Sequence, residues 1–154
     1  MAKPAQKTIR IENRRARFEY ELLDTFTAGM VLMGSEIKSI REGAAGLVDA
    51  YCLVVEGELW VKHLHIAPWR LGTHANHLET RDRKLLLKKN ELKKIDRALK
   101  DKGITLVPTL LFLNDSGLAK LDIALAKGKK LHDKRASLKE KDADRESQRA
   151  QDRD

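Results

Sequence analysis

From Phe18 onward the chain alternates: Phe18, Tyr20 and Leu22 fall on one side and Arg17, Glu19 and Glu21 on the other, the period of a half-buried strand. Residues 24–29 can bend the chain, and Met30, Val31, Leu32 and Met33 extend it again, either as a second strand or as its continuation past a bulge at Gly29. The pattern then changes. After Gly34 and Ser35, a possible N-cap, Ile37 and Ile40 recur at helical spacing and Gly43 ends the segment, which predicts a short helix over 36–42. Glu36 suits its positive end, and Lys38 and Arg41 project from one side.

Residues 47–55 and 59–66 are rich in Val, Leu, Tyr and Trp and are joined through Glu56, Gly57 and Glu58, so they read as a hairpin. A long loop runs from Ala67 to Thr80. In the segment 81–103, Leu92, Ile95 and Leu99 mark a helix that Asn90 can cap and Gly103 can end. Leu85, Leu86 and Leu87 form an extended lead-in. Two further strands, 104–113 and 118–126, flank the turn signal Asn114-Asp115-Ser116-Gly117. Pro108 within the first of them calls for an edge position or a bulge.

This order is mainly β and antiparallel, with two or three helices in the connections. It fits a small barrel of the oligonucleotide-binding type, because closure removes strand edges that an open sheet of this size exposes. A helix-capped open sheet is the alternative. The chain of 154 residues, 42% hydrophobic, suffices for one core, and the expected division is a flexible basic arm (1–12), a barrel (13–130) and a C-terminal tail (131–154). The tail has Leu138 as its only large apolar side chain beyond Ala136. Its opposite charges fall at i, i+3 and its like charges at i, i+4, each pair worth ~0.2–0.5 kcal/mol with signs that nearly cancel. It is expected to be disordered when free, and to become helical where an anionic channel neutralises it.

Charge changes the picture more than composition does. The formal net charge of +8 is segregated: residues 1–17, 81–103 and 127–154 are basic, whereas 18–80 and 104–126 carry an acidic surplus. In the stretch from Ala126 to Arg135, the five cations Lys127, Lys129, Lys130, Lys134 and Arg135 face one acid, Asp133. Basic segments on a mildly acidic body outline a nucleic-acid binder, although a solvated surface has the same composition. No apolar run approaches the ~18 residues that span a bilayer, and the N-terminus lacks a signal region, so a cytoplasmic protein without a membrane partner is expected. Cys52, the single cysteine, excludes an intrachain disulfide and reads as core.

Enzyme chemistry has little to rest on. No glycine-rich phosphate loop, nucleophile elbow or His-Glu-x-x-His occurs. His63 with His65, and His74 with His77, lack the partners a zinc site needs and are more simply structural. Neither a metal nor another cofactor is expected. With three Phe, two Tyr and two Trp, the chain is also short of the aromatic platforms of a general single-strand binder, which remains, with a general structured-RNA binder, the alternative function.

Four stretches then match a known family: Asn13-Arg14-Arg15-Ala16-Arg17; residues 28–41, from Ala-Gly-Met-Val-Leu-Met-Gly-Ser-Glu to Ile-Arg; Thr80-Arg81-Asp82-Arg83-Lys84-Leu85-Leu86-Leu87; and residues 126–135, with Lys-Gly-Lys-Lys-Leu-His-Asp-Lys-Arg. In order and spacing they resemble bacterial small protein B, the family that binds SsrA RNA (tmRNA). The resemblance implies an RNA-binding protein that grips the tRNA-like domain of tmRNA and brings it, with elongation factor Tu, to stalled ribosomes for trans-translation. It places tmRNA contacts on Leu86 and Lys120, with Arg81, Arg83 and Lys84 as phosphate partners. Leu86, one of three consecutive leucines, is also compatible with core packing. A further family position falls on Thr27, where a glutamate is usual. Contacts with the ribosome, at the decoding centre and along the mRNA channel, are implied for His132, Asp133, Lys134 and Arg135, with Lys127, Lys129 and Lys130 meeting phosphate before them.

Overall fold

The computed structural model describes residues 9–72, 76–129, 141 and 143–145. Its central feature is a ring of antiparallel strands. In chain order the elements are β1 (Arg10–Glu12), α1 (Arg14–Glu19), β2 (Tyr20–Met30), α2 (Gly34–Arg41), β3 (Ala45–Gly46), β4 (Tyr51–Val55), β5 (Glu58–Lys62), β6 (His65–Ile66), β7 (Arg83–Leu86), α3 (Lys89–Ala98), β8 (Ile104–Leu113) and β9 (Ala119–Gly128). Pairing runs β1-β8-β4-β5-β7-β2-β9, and β9 pairs back onto β8 to close the barrel. β3 and β6 form a separate two-stranded ladder.

Alternation explains the interior of β2, β5 and β9, and in β8 the register shift between Pro108 and Leu110 carries the inward series from Leu106 to Leu111. Leu121, Ile123 and Leu125 of β9, Leu106 and Leu111 of β8, Leu59 and Val61 of β5, Leu85 of β7 and Ala28 of β2 are buried together. Ile40 of α2 and Ile95 of α3 join the same core and are fully buried. Cys52 lies in it too, and burial raises its thiol pKa, keeping it protonated.

Several local expectations hold. The β4–β5 hairpin turns at Glu56 and Gly57, both at positive φ (50° and 75°), the backbone that matches strand twist in a two-residue turn. Pro108 does sit at an irregularity: the β8–β9 register shifts between Pro108 and Leu110. β8 is nevertheless an interior strand.

Other expectations are corrected. The alternation from Phe18 does not start a strand there, because Phe18 and Glu19 end α1. Asn13 begins that helix: its side chain accepts from Ala16 N–H at 3.1 Å, while Arg15 Nε donates to Glu19 at 3.0 Å one turn on. Ala16 packs on Val107 and Ala126. Residues 24–29 do not bend away but lie within the single eleven-residue strand β2, whose register shift against β9 falls between Leu22 and Thr25 rather than at Gly29. Val31 to Met33 leave the strand, and α2 is capped from Met33, not Ser35. Asn90 lies inside α3, whose N-cap is Lys88. The arm drawn over 1–12 is too long: Ile9 is buried and Arg10–Glu12 pair with β8. The tail over 131–154 lies outside the described residues except for 141 and 143–145.

Candidate nucleic-acid interface

Residue parity on β7 divides the predicted contacts. Arg83 and Leu85 face inward and are buried, whereas Lys84 is partly exposed and Leu86 is 52% exposed. Arg83 is therefore withdrawn from the set of phosphate partners. Its guanidinium is fully buried, with Nε donating to Glu36 Oε2, Nη1 to Leu64 O at 2.6 Å and Nη2 to Glu79 O at 3.1 Å. Arg81 shares that acid, donating from Nη2 to Glu36 Oε1, and keeps a partly exposed edge. Burial alone would raise the Glu36 carboxyl, but the hydrogen bonds from Arg81, Met33 N–H and Arg83 outweigh it and hold the group below the usual carboxylate range. This cluster ties α2 to β7 and to the chain entering it.

The exposure of Leu86 resolves the ambiguity among the three leucines: Leu85 serves the core, and Leu86 stands on the outer wall. Register then fixes its neighbours. Leu86 pairs with Gly29, Gly29 with Lys120, Lys120 with Phe112 and Phe112 with Arg10, so one row crosses five strands. Directly paired residues share a face. At Gly29 a Cβ would lie 3.6 Å from Leu86 Cβ and 3.7 Å from Lys120 Nζ, so an apolar side chain and an ammonium stand on either side of bare backbone. Beside this row Thr27 pairs with Asp122, and the Thr27 hydroxyl donates to Asp122 Oδ1 at 2.6 Å. Lys84, on the same strand as Leu86, donates to Glu58 at 3.1 Å and remains partly exposed.

Sequence reasoning missed Gly29, Asp122, Phe112 and Arg10. The alternation Ala119-Lys120-Leu121-Asp122-Ile123 already puts Lys120 and Asp122 on one face, but only the pairing of β2 with β7 and β9 brings Gly29 between Leu86 and Lys120. Among the residues expected to meet the ribosome, Lys127 is exposed near the end of β9, and Lys129 follows it with its N–H donating to Glu19 O at 3.0 Å. Lys130, His132, Asp133, Lys134 and Arg135 lie outside the described residues.

The histidines that are described have structural surroundings. His65 Nε2 is 3.0 Å from Glu79, and His63 stacks against Tyr51. His77 is buried between Ser35 and the Ile66 carbonyl. Since that carbonyl can only accept, His77 donates to it from Nε2, and Nδ1 is hydrogen-bonded to the Ser35 hydroxyl at 2.9 Å. His74 lies outside the described residues. No His, Cys, Asp and Glu group suited to a metal ion occurs among the described residues, and no described helix is long and apolar enough to cross a membrane.

The fold and its outer wall define a small closed barrel of the oligonucleotide-binding type. The model of the SmpB protein family matches residues 10–153. SsrA-binding proteins of Bacteroides thetaiotaomicron and Phocaeicola vulgatus are 59% and 60% identical to it, covering 94% and 92% of this chain and 96% and 94% of their own lengths. A chain in the solved structure described as "tmRNA-SmpB: a journey to the center of the bacterial ribosome" superposes with a TM-score of 0.69 at 43% identity, over 80% of this chain and 86% of that one. The chain belongs to the SmpB protein family.

Proposed function

We propose that this protein binds the tRNA-like domain of tmRNA and delivers it to stalled ribosomes for trans-translation. The observation that carries this reading is the Leu86–Gly29–Lys120 row on the outer wall of a barrel whose chain belongs to the SmpB family. Leu86 supplies an apolar surface for a splayed base, and Lys120, with Lys84 and the exposed edge of Arg81, supplies cations for phosphate. Arg83 contributes by holding β7 and α2 together rather than by touching RNA. Lys127, Lys129, Lys130, His132, Asp133, Lys134 and Arg135 are assigned to the ribosome, at the decoding centre and the entrance of the mRNA channel. Elongation factor Tu belongs to the delivery complex, the protein acts in the cytoplasm, and its role is binding rather than catalysis.

Electrophoretic competition tests this. Labelled tmRNA bound to the purified protein is expected to resist an excess of tRNA and to be displaced by unlabelled tmRNA. Equal displacement by both RNAs would leave only general affinity for structured RNA.

A further inference from the structure

One polar group on the outer wall has no role in the contacts assigned so far. Asp122 stands beside the Leu86–Gly29–Lys120 row, and a carboxylate is unwelcome on a wall that only meets phosphate, because like charges repel. It is not there to neutralise a neighbour: among the described residues Asp122 makes no salt bridge, although Lys120 lies two positions away on the same face of β9. It is held in place. The Thr27 hydroxyl, from the paired position on β2, donates to Oδ1 at 2.6 Å, leaving Oδ2 to a further donor.

Its surroundings say what kind of donor fits. Leu86 offers an apolar face, Lys120 a cation, Gly29 an uncovered floor and Asp122 an acceptor, all on adjacent strands of one wall. A nucleotide presents the complementary groups: a base face, a phosphate, and an N–H or O–H donor on the base edge or ribose. We infer that Asp122, oriented by Thr27, accepts a hydrogen bond from a neutral donor of the bound RNA, a base amine or a 2′-hydroxyl, and so makes this wall selective for a particular nucleotide rather than for phosphate alone. This rests on the tmRNA reading above.

The test is the affinity of the full-length protein for the isolated tRNA-like domain of tmRNA at several salt concentrations, with tRNA as competitor. Asp122→Ala is expected to weaken binding about ten- to a hundredfold, the range of a well-placed base contact, and to leave the salt slope unchanged, since no phosphate contact is lost. Lys120→Met, by contrast, should lower the slope by about 0.7–0.9. Thr27→Val, which frees the carboxylate to rotate, should weaken binding less than Asp122→Ala does. Asp122→Asn keeps an oxygen for Thr27 and the shape of the side chain, so its affinity separates loss of the acceptor from any folding defect. Single 2′-deoxy substitutions in the RNA, set against single amine-lacking bases, identify the donor: the modification at the contacted site should weaken the wild-type protein and not Asp122→Ala. If Asp122→Ala and Asp122→Asn bind as tightly as wild type, or more tightly, while wild type still prefers tmRNA, the inference fails and the functional reading stands. If wild type shows no preference for tmRNA over tRNA, both fall.

Discussion

Glu36 shows how one side chain can decide the roles of others. Its carboxylate accepts from Met33 N–H at 2.9 Å, from Arg81 and from Arg83, so two arginines that read as RNA contacts in the sequence are drawn to a buried acid. The Glu36 to Arg83 pair is inside the protein at both ends, and removing one partner of such a pair costs about 3–5 kcal/mol because a charge is left buried without compensation. Glu36→Gln is expected to lose stability of that order in urea unfolding at neutral pH, with the denaturant slope unchanged. The folded carboxyl is held below its ordinary range by Arg81, Met33 N–H and Arg83 against the opposing effect of burial. As pH falls the unfolded chain therefore takes up this proton first. The stabilisation is complete above the unfolded pKa and disappears as pH drops through the lower folded one. Unfolding curves of wild type and Glu36→Gln should accordingly converge in acid. Stability profiles that stay parallel down to about pH 2 would show that Glu36 does not titrate as its bonds require.

At the scale of elements, Asn13 couples three of them. Its Oδ1 caps α1, its Nδ2 donates to Pro108 O at 2.8 Å in the β8 bulge and to Leu47 O at 3.3 Å before β4, and its own N–H donates to Thr109 O at 2.9 Å. Asn13→Ala is expected to cost about 1 kcal/mol for the cap and a further ~1–3 kcal/mol for carbonyls left unpaired in a buried site. Asn13→Ser retains an oxygen for the cap and loses the amide donor to Pro108 O and Leu47 O. Thermal unfolding of the two variants should therefore separate the contributions; equal losses in both would mean that the cap adds nothing. The same residue explains what was legible. Gly57 in the hairpin turn and Pro108 at the bulge are local signals, and each was readable from its own chemistry. The helix at 14–19 was not, because the alternation of Phe18, Tyr20 and Leu22 looks like a strand until Asn13 is seen reaching across to β8. Parity on β7 was legible as well, since Arg81, Arg83 and Leu85 fall in one series and Lys84 and Leu86 in the other. What hid it was the expectation that arginine faces solvent, an expectation that fails wherever a buried acid such as Glu36 waits for it. The Leu86–Gly29–Lys120 row had no local signature: it exists only once β2 is seated between β7 and β9.

For the whole molecule, the question is whether the wall proposed to grip RNA and the basic C-terminal stretch act independently. The barrel closes through the long β2–β9 and β8–β9 ladders, which extend to Lys127 and Gly128. The Leu86–Gly29–Lys120 row therefore sits in the body of the sheet, on strands whose pairing among the described residues ends at Gly128. A chain ending after Leu131 keeps every residue assigned to the tRNA-like domain and loses His132, Asp133, Lys134, Arg135 and all that follows. It is expected to bind tmRNA with the wild-type preference over tRNA, with a smaller salt slope if any of the removed cations touch the RNA, and to fail in tagging peptides on stalled ribosomes. Binding and tagging measured on the same truncated protein separate the two jobs. Normal tagging would show that the decoding-site stretch is dispensable, whereas loss of tmRNA affinity together with tagging would place part of the grip in the tail and undo the division between wall and tail. The sharper outcome comes from combining the truncation with Lys120→Met: if the two surfaces are independent, their effects on tmRNA affinity should add within about 0.5 kcal/mol.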